Sequence, residues 1–166
     1  MNGAHLHLVV NHLPIIIPII AFILMLGGFA MKSEILKRAA YGLFVLGAIS
    51  AMVAFATGEE TEEVVEHMAG VDESLIKVHE EKAETFAVLI YILGGISLVG
   101  MWASWKRASY SKMISIVAIL FSLIVFIFAQ QTGTTGGEIR HTEIRAEGAN
   151  KATLLNQGES DEDNDD

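Results

Sequence analysis

The chain has no cysteine. That excludes disulfides, thiolate ligands and the thioether attachment of c-type haem, and it leaves the redox compartment unmarked. Proline is nearly as scarce: Pro14 and Pro18 are the only two, both inside one apolar run, where they release carbonyls and bend a helix just below His12. Basic residues are few, with 11 Lys and Arg against 20 Asp and Glu and a net charge of −9. With no nucleotide-binding motif beside it, that balance argues against a nucleic-acid partner. No nucleophile is paired with a base and no two acids meet inside an apolar run. Glu59 and Glu60 come close to Thr57, but they belong to an exposed run of charge. The chain does not read as an enzyme in its own right.

Apolar residues are abundant, at 52% of the chain with a mean hydropathy of +0.46, and they come in blocks. Four runs, residues 13–31, 43–56, 86–102 and 113–129, carry few or no charges. With their flanks, each approaches the roughly 20 residues a helix needs to cross a bilayer. None alternates with period two, which excludes the strands of a membrane β-barrel. The expectation is an all-α, four-transmembrane-helix bundle over residues 1–145, followed by an acidic disordered tail over 146–166. Residues 1–11 contain no Lys or Arg and no small-residue cleavage site, so the first span reads as a retained helix and not a leader.

Charge sets the expected orientation. The first and third connections hold Lys32, Lys37, Arg38, Lys106, Arg107 and Lys112 against Glu34 alone, a net of +5. The second, residues 59–84, has a net of −8, and the stretch from Glu138 onward −6. Short basic loops stay cytoplasmic, which places both termini and the acidic loop outside: a multi-pass protein of a bacterial inner membrane with periplasmic ends. Trp102, Trp105 and Tyr110 mark an interfacial belt beside the basic third connection. Within the acidic connection, Val64, Val65 and Met68 suggest a short surface helix over 59–68 that ends at Gly70. Asp72 suits the N-cap of a helix running unbroken through His79 into the third span.

Duplication is hinted at. His12 and His79 each stand fifteen residues before a glycine pair, Gly27-Gly28 and Gly94-Gly95. The next helices open after Tyr41 and Tyr110 and close at Thr57-Gly58 and Thr132-Gly133. This predicts two helical hairpins related by a pseudo-two-fold axis along the membrane normal. The glycine pairs equally suit close helix packing within one chain or a homo-oligomer interface.

Helix topology puts His7, His12, His79 and His141 on one membrane face. Imidazole is a common ligand of haem iron and of transition metals, and near hydrocarbon it needs a partner. His79 shares a stripe with Ile76, Ala83, Phe86 and Ile90, and His12 with His5, Leu8, Ile16 and Ile19, so both rings are expected to face inward. His7 and His12, five apart, diverge by about 140° on a straight helix, so each is expected to pair with a histidine from another segment. His67 and His5 read as ordinary polar residues. The glycine-rich stretch 130–141 reads as a flexible turn that brings Arg140 and His141 back to the mouth of the bundle.

The segments His7-Leu-Val-Val-Asn-His12-Leu-Pro-Ile15, Ala56-Thr-Gly58, His79 and Gly136-Gly-Glu-Ile-Arg-His141 together resemble a family of small bacterial four-helix membrane domains of unknown function. That family's pattern is His-Pro, His-Phe-Pro-Ile, Ala-x-x-Gly, a later His, and Gly-Gly-x-Leu-Val-Tyr-x-His-Gly. The resemblance covers residues 5 to about 145. It departs at Leu8, Leu13, Ile139-Arg140 and Thr142, none of them a histidine. It implies association with cytochrome c domains, hence a c-type cytochrome or larger redox complex as partner.

Imidazoles from different helices in an apolar bundle suit one or two b-type haems with bis-histidine ligation. His12 with His79 is the favoured pair and His7 with His141 the second; Arg140 or Arg145 would neutralise propionates, and Thr57 or Thr132 would donate hydrogen bonds. An alternative is a copper or zinc site built from the same four histidines. The other is a non-catalytic membrane subunit that docks a basic periplasmic partner through its acidic loop and tail.

Overall fold

A computed structural model describes residues 3–65 and 73–145. Its elements are α1 (Gly3–Val10), α2 (Leu13–Ala30), α3 (Glu34–Val65), α4 (Glu73–Trp105) and α5 (Ser111–Arg140), closed by a short 3-10 turn, Thr142–Ile144. The acidic tail from residue 146, His67, Met68, Gly70 and Asp72 lie outside the described residues. Four helical stretches are long and apolar enough to cross a bilayer: Gly3–Ala30, in which α1 and α2 follow one another, Glu34–Glu59, Glu73–Trp105 and Ser111–Arg140. The chain is a multi-pass, all-α membrane bundle.

The two short connections are tight for a local reason. Lys32 and Arg107 adopt left-handed backbone angles, φ 54° and 50°. Each ends a helix in the hydrogen-bond pattern of a Schellman cap, with Ser33 N–H on the Gly28 carbonyl at 2.8 Å and Ala108 N–H on the Ala103 carbonyl at 2.9 Å. Glycine normally takes that position, so both turns carry strain of about 1–2 kcal/mol while placing a cation at the same end of the bundle.

Packing follows the logic of a protein dissolved in lipid. Large aliphatic side chains such as Ile23, Val88 and Leu120 point outward, whereas Ala21, Ala40, Ala48, Ala118, Ser97, Ser115 and Ser122 are buried. Hydrocarbon is as apolar as leucine, so helices associate through close backbone approach and not through hiding Leu and Ile. Added Cβ atoms would collide with Pro18 at Gly47, with Ala48 at Gly94 and with the Tyr41 ring at Gly100. Of the two glycine pairs, Gly28 and Gly94 face neighbouring helices, while Gly27 and Gly95 have open space beside them.

The two hairpins repeat, in a register other than the one the glycine pairs suggest. The buried residues of α2, Pro14, Pro18, Ala21, Met25 and Gly28, each stand 72 residues before a buried residue of α4: Phe86, Ile90, Leu93, Ser97 and Gly100. The six buried residues of α5, Ser115, Ala118, Ser122, Val125, Ala129 and Thr132, each stand 78 residues after a buried residue of α3: Lys37, Ala40, Phe44, Gly47, Ala51 and Ala54. In this register the counterpart of His79 is His7.

Three local expectations change. The first segment of the acidic connection is not a separate surface helix, because α3 runs on through Glu59 to Val65. The glycine-rich stretch is no turn: residues 130–140 complete α5, their glycines lying against Ile15 at Gly133, His79 at Gly136 and Ile144 at Gly137. The stripe of His12 looks outward, with Leu8, Ile16 and Ile19 exposed, while Pro14 and Pro18 turn in. The helix breaks at Asn11-His12, so a stripe carried across that point loses its phase. Isoleucine on every face of α2 also leaves hydrophobicity unable to name an inside.

Candidate functional site

Two imidazoles are held in matching cradles at the acidic end of the bundle. His7, on α1, lies against α3 with Nδ1 2.9 Å from the Ala54 carbonyl and 3.3 Å from Thr57 Oγ. The Thr57 hydroxyl directs its own proton to the carbonyls of Val53 and Ala54, at 2.9 and 3.1 Å. A carbonyl only accepts, so Nδ1 carries the proton of neutral His7 and Nε2 is left with a lone pair.

His79, on α4, repeats this against α5. Its Nδ1 is 3.1 Å from Thr135 Oγ, and the Thr132 carbonyl is a further acceptor. Thr135 gives its proton to the carbonyls of Gln131 and Thr132, at 3.1 and 3.2 Å, so it receives a hydrogen bond from Nδ1. Here too Nε2 is unprotonated in the neutral ring. The next residue on each cradle helix is glycine, and at Gly136 the reason is steric. A Cβ at Gly58 would sit 3.4 Å from His7 Cε1, and one at Gly136 would sit 2.9 Å from His79 Cε1. Ala54, Thr57 and Gly58 therefore match Thr132, Thr135 and Gly136, and the true counterpart of Thr57-Gly58 lies one helical turn beyond Thr132-Gly133.

His7 and His79 are within electrostatic range of one another, and His12 is within range of His7. His12 itself is exposed, preceding α2 with its carbonyl accepting from the N–H groups of Ile15 and Ile16. His141 follows the last residue of α5 and its side chain is 64% exposed, with Nδ1 2.9 Å from Glu143 Oε1. The Glu143 carboxyl is held below the usual carboxylate range by its own backbone N–H and by His141. Arg140 is exposed in the last turn of α5. Arg145 is committed to the end of that helix, donating to the carbonyls of Glu138 and Ile139 at 2.6 and 2.8 Å. Among the described residues, no three His, Asp or Glu side chains converge closely enough to hold a bare metal ion. The structure thus seats His7 and His79 in like surroundings at one end of the bundle and leaves His12 and His141 facing outward.

Thr57 and Thr132 do not offer protons to a cofactor. Thr132 spends its hydroxyl on the Lys82 carbonyl at 3.0 Å, tying α5 to α4. No site role was assigned from the sequence to Thr135, Gly58, Gly136 or Asn11. The Oδ1 of Asn11, in the turn between His7 and His12, is buried and without a donor. A repeated Thr-Gly, at Thr57-Gly58, Thr132-Gly133 and Thr135-Gly136, was the signal available, and it did not by itself separate Thr135-Gly136 from Thr132-Gly133.

Depth follows from helix rise. Thr135 is 24 residues along α5 from Ser111, roughly 36 Å at 1.5 Å per residue, against a hydrocarbon core of about 30 Å. The cradles lie at the interface opposite the tryptophans. Compared with known protein families, characterised proteins and solved structures, the chain matches none.

Proposed function

We propose that the chain is an integral membrane electron-transfer component that binds haem b through His7 and His79, at the acidic, periplasmic face of a bacterial inner membrane. The observation that supports this reading is the pair of cradles: two imidazoles from different hairpins, His7 oriented through Nδ1 by Thr57 and the Ala54 carbonyl and His79 by Thr135, so that Nε2 of each is the nitrogen left for a ligand. Metal-ligating histidines are commonly held this way, because an acceptor on the far nitrogen fixes the tautomer and raises ligand basicity. Two protein donors suit an iron whose other four bonds come from porphyrin, whereas a closed copper or zinc site needs three or four. When bound, haem would supply one-electron chemistry, and His7 and His79 would hold it.

The resemblance to the small four-helix family agrees with a redox setting and with a c-type cytochrome as partner, reached through the acidic face. The test is a reduced-minus-oxidised spectrum of detergent-purified protein, with a pyridine haemochrome assay. A sharp α-band lost in His7→Ala and His79→Ala but kept in His12→Ala and His141→Ala is the expected result. A featureless spectrum from haem-sufficient cells sinks the reading; elemental analysis then separates a copper or zinc site from a non-catalytic docking subunit.

A further inference from the structure

The opposite end of the bundle holds a second assembly. Glu34 pairs with Lys37, which is buried. Arg38 reaches across to α4, with Nε 2.9 Å from Ser104 Oγ and Nη2 3.0 Å from the Ser104 carbonyl, and Ser104 in turn donates to Glu34 at 2.7 Å. This tie between α3 and α4 forms one wall of a cavity of about 460 Å³. The other wall comes from the turn after α4 and the start of α5, with Arg107, Ser109, Ser111 and Lys112.

Four cations face one carboxylate in that lining, an excess of three positive charges. Ser111 lines the cavity, and its Oγ is buried without a hydrogen-bond partner. Arg107 and Lys112 are exposed, and neither has a carboxylate partner among the described residues. The chain keeps Arg107 in a left-handed conformation that glycine would take without strain, which puts a guanidinium at the rim. Guanidinium groups match phosphate oxygens in a bidentate fork, and a hydroxyl adds a directed donor.

Depth selects the occupant. Trp102, Trp105 and Tyr110 are exposed on the same turn, and such side chains settle at the level of lipid headgroups. A basic cavity between membrane helices at that level meets phosphate chiefly as the headgroup of an anionic lipid. We propose that this cavity is a headgroup site for an anionic phospholipid, with Arg107, Lys112 and Ser111 as its phosphate-binding residues, held in place by the Glu34–Lys37–Arg38–Ser104 tie.

The test is native mass spectrometry of the detergent-purified full chain, titrated with phosphatidylglycerol or phosphatidylcholine and, separately, with inorganic phosphate as competitor. Two double variants are compared: Arg107→Gln with Lys112→Gln in the cavity, and Lys32→Gln with Lys106→Gln outside its lining, which loses the same charge. Circular dichroism confirms that each is folded. Phosphatidylglycerol is expected to bind in preference to phosphatidylcholine and to resist millimolar phosphate. Its affinity should fall roughly 30-fold in the cavity variant and much less in the other. Equal losses in both doubles, equal binding of the two lipids, or displacement by inorganic phosphate at concentrations matching the lipid would each overturn the proposal.

Discussion

Thr57 and Thr135 do no chemistry of their own, yet they set what His7 and His79 can do. Replacing either by valine keeps the shape and removes an acceptor from Nδ1. Loss of such an outer hydrogen bond weakens metal or haem retention by roughly 10- to 100-fold. Titration of haem into the apoprotein measures it; unchanged affinity in both variants would detach the cradles from ligand binding. Gly100 gives a contrast in packing. Gly100→Ala places a methyl group in the ring of the fully buried Tyr41, whereas Gly95→Ala meets open space. Overpacking of that kind is worth about 1–3 kcal/mol, so thermal unfolding in detergent should drop clearly for the first and stay near wild type for the second. The Tyr41 hydroxyl donates to Ser115 at 3.1 Å, but hydrogen bonds between membrane helices average only about 0.6 kcal/mol. Tyr41→Phe is therefore expected to be milder than Gly100→Ala in the same assay. At the exposed end of α5, the depressed Glu143 carboxyl has a defined sign. Its bonds to the backbone and to His141 are present above the ordinary carboxylate range and are lost as pH falls through the lowered value. Titration of the Glu143 carboxyl by NMR should show that downward shift, and Glu143→Gln should leave unfolding unchanged because the group is fully exposed.

Helices and their number were legible from composition, since apolar runs of bilayer length have few other uses. Boundaries and faces were less so. The unbroken α4 through His79 followed from its stripe, because Ile76, Phe86 and Ile90 are large, apolar and inward. The same reasoning failed on α2, where isoleucines surround the helix and the interior is chosen by the shapes of Pro14, Pro18 and Gly28. Glycine misled in the other direction. In water a run such as Gly133, Gly136 and Gly137 signals a turn, but here each admits a neighbour's side chain into a helix. His7 and His79 were both named from the sequence, though the correspondence between their cradles was not. It depends on a register carried by small buried residues that hydropathy does not weigh. His12 consequently stood for His7, and Thr132 for Thr135.

At the scale of the molecule, charge divides the bundle: a basic end with two tight turns, and an acidic end with the imidazole cradles. The absence of cysteine makes this division directly testable, because any introduced thiol reports alone. Single substitutions at Ser109 and at Thr61, on opposite ends, are expected to label from opposite sides of the membrane with an impermeant maleimide. Labelling from the same side would contradict four spans. The repeat between the two hairpins also has an uneven consequence. Both cradles grip a ring in the same way, but only α5 builds its cradle among three glycines, each worth about 1 kcal/mol against alanine in a helix. The last two turns of α5 are thus expected to fray more readily than the end of α3 that holds His7, so the His79 cradle should open before the His7 cradle does. Amide exchange should be faster there than at the His7 cradle. A group captured on His79 would slow it by the free energy of its own binding, so occupancy of the site can be read as protection of a helix end.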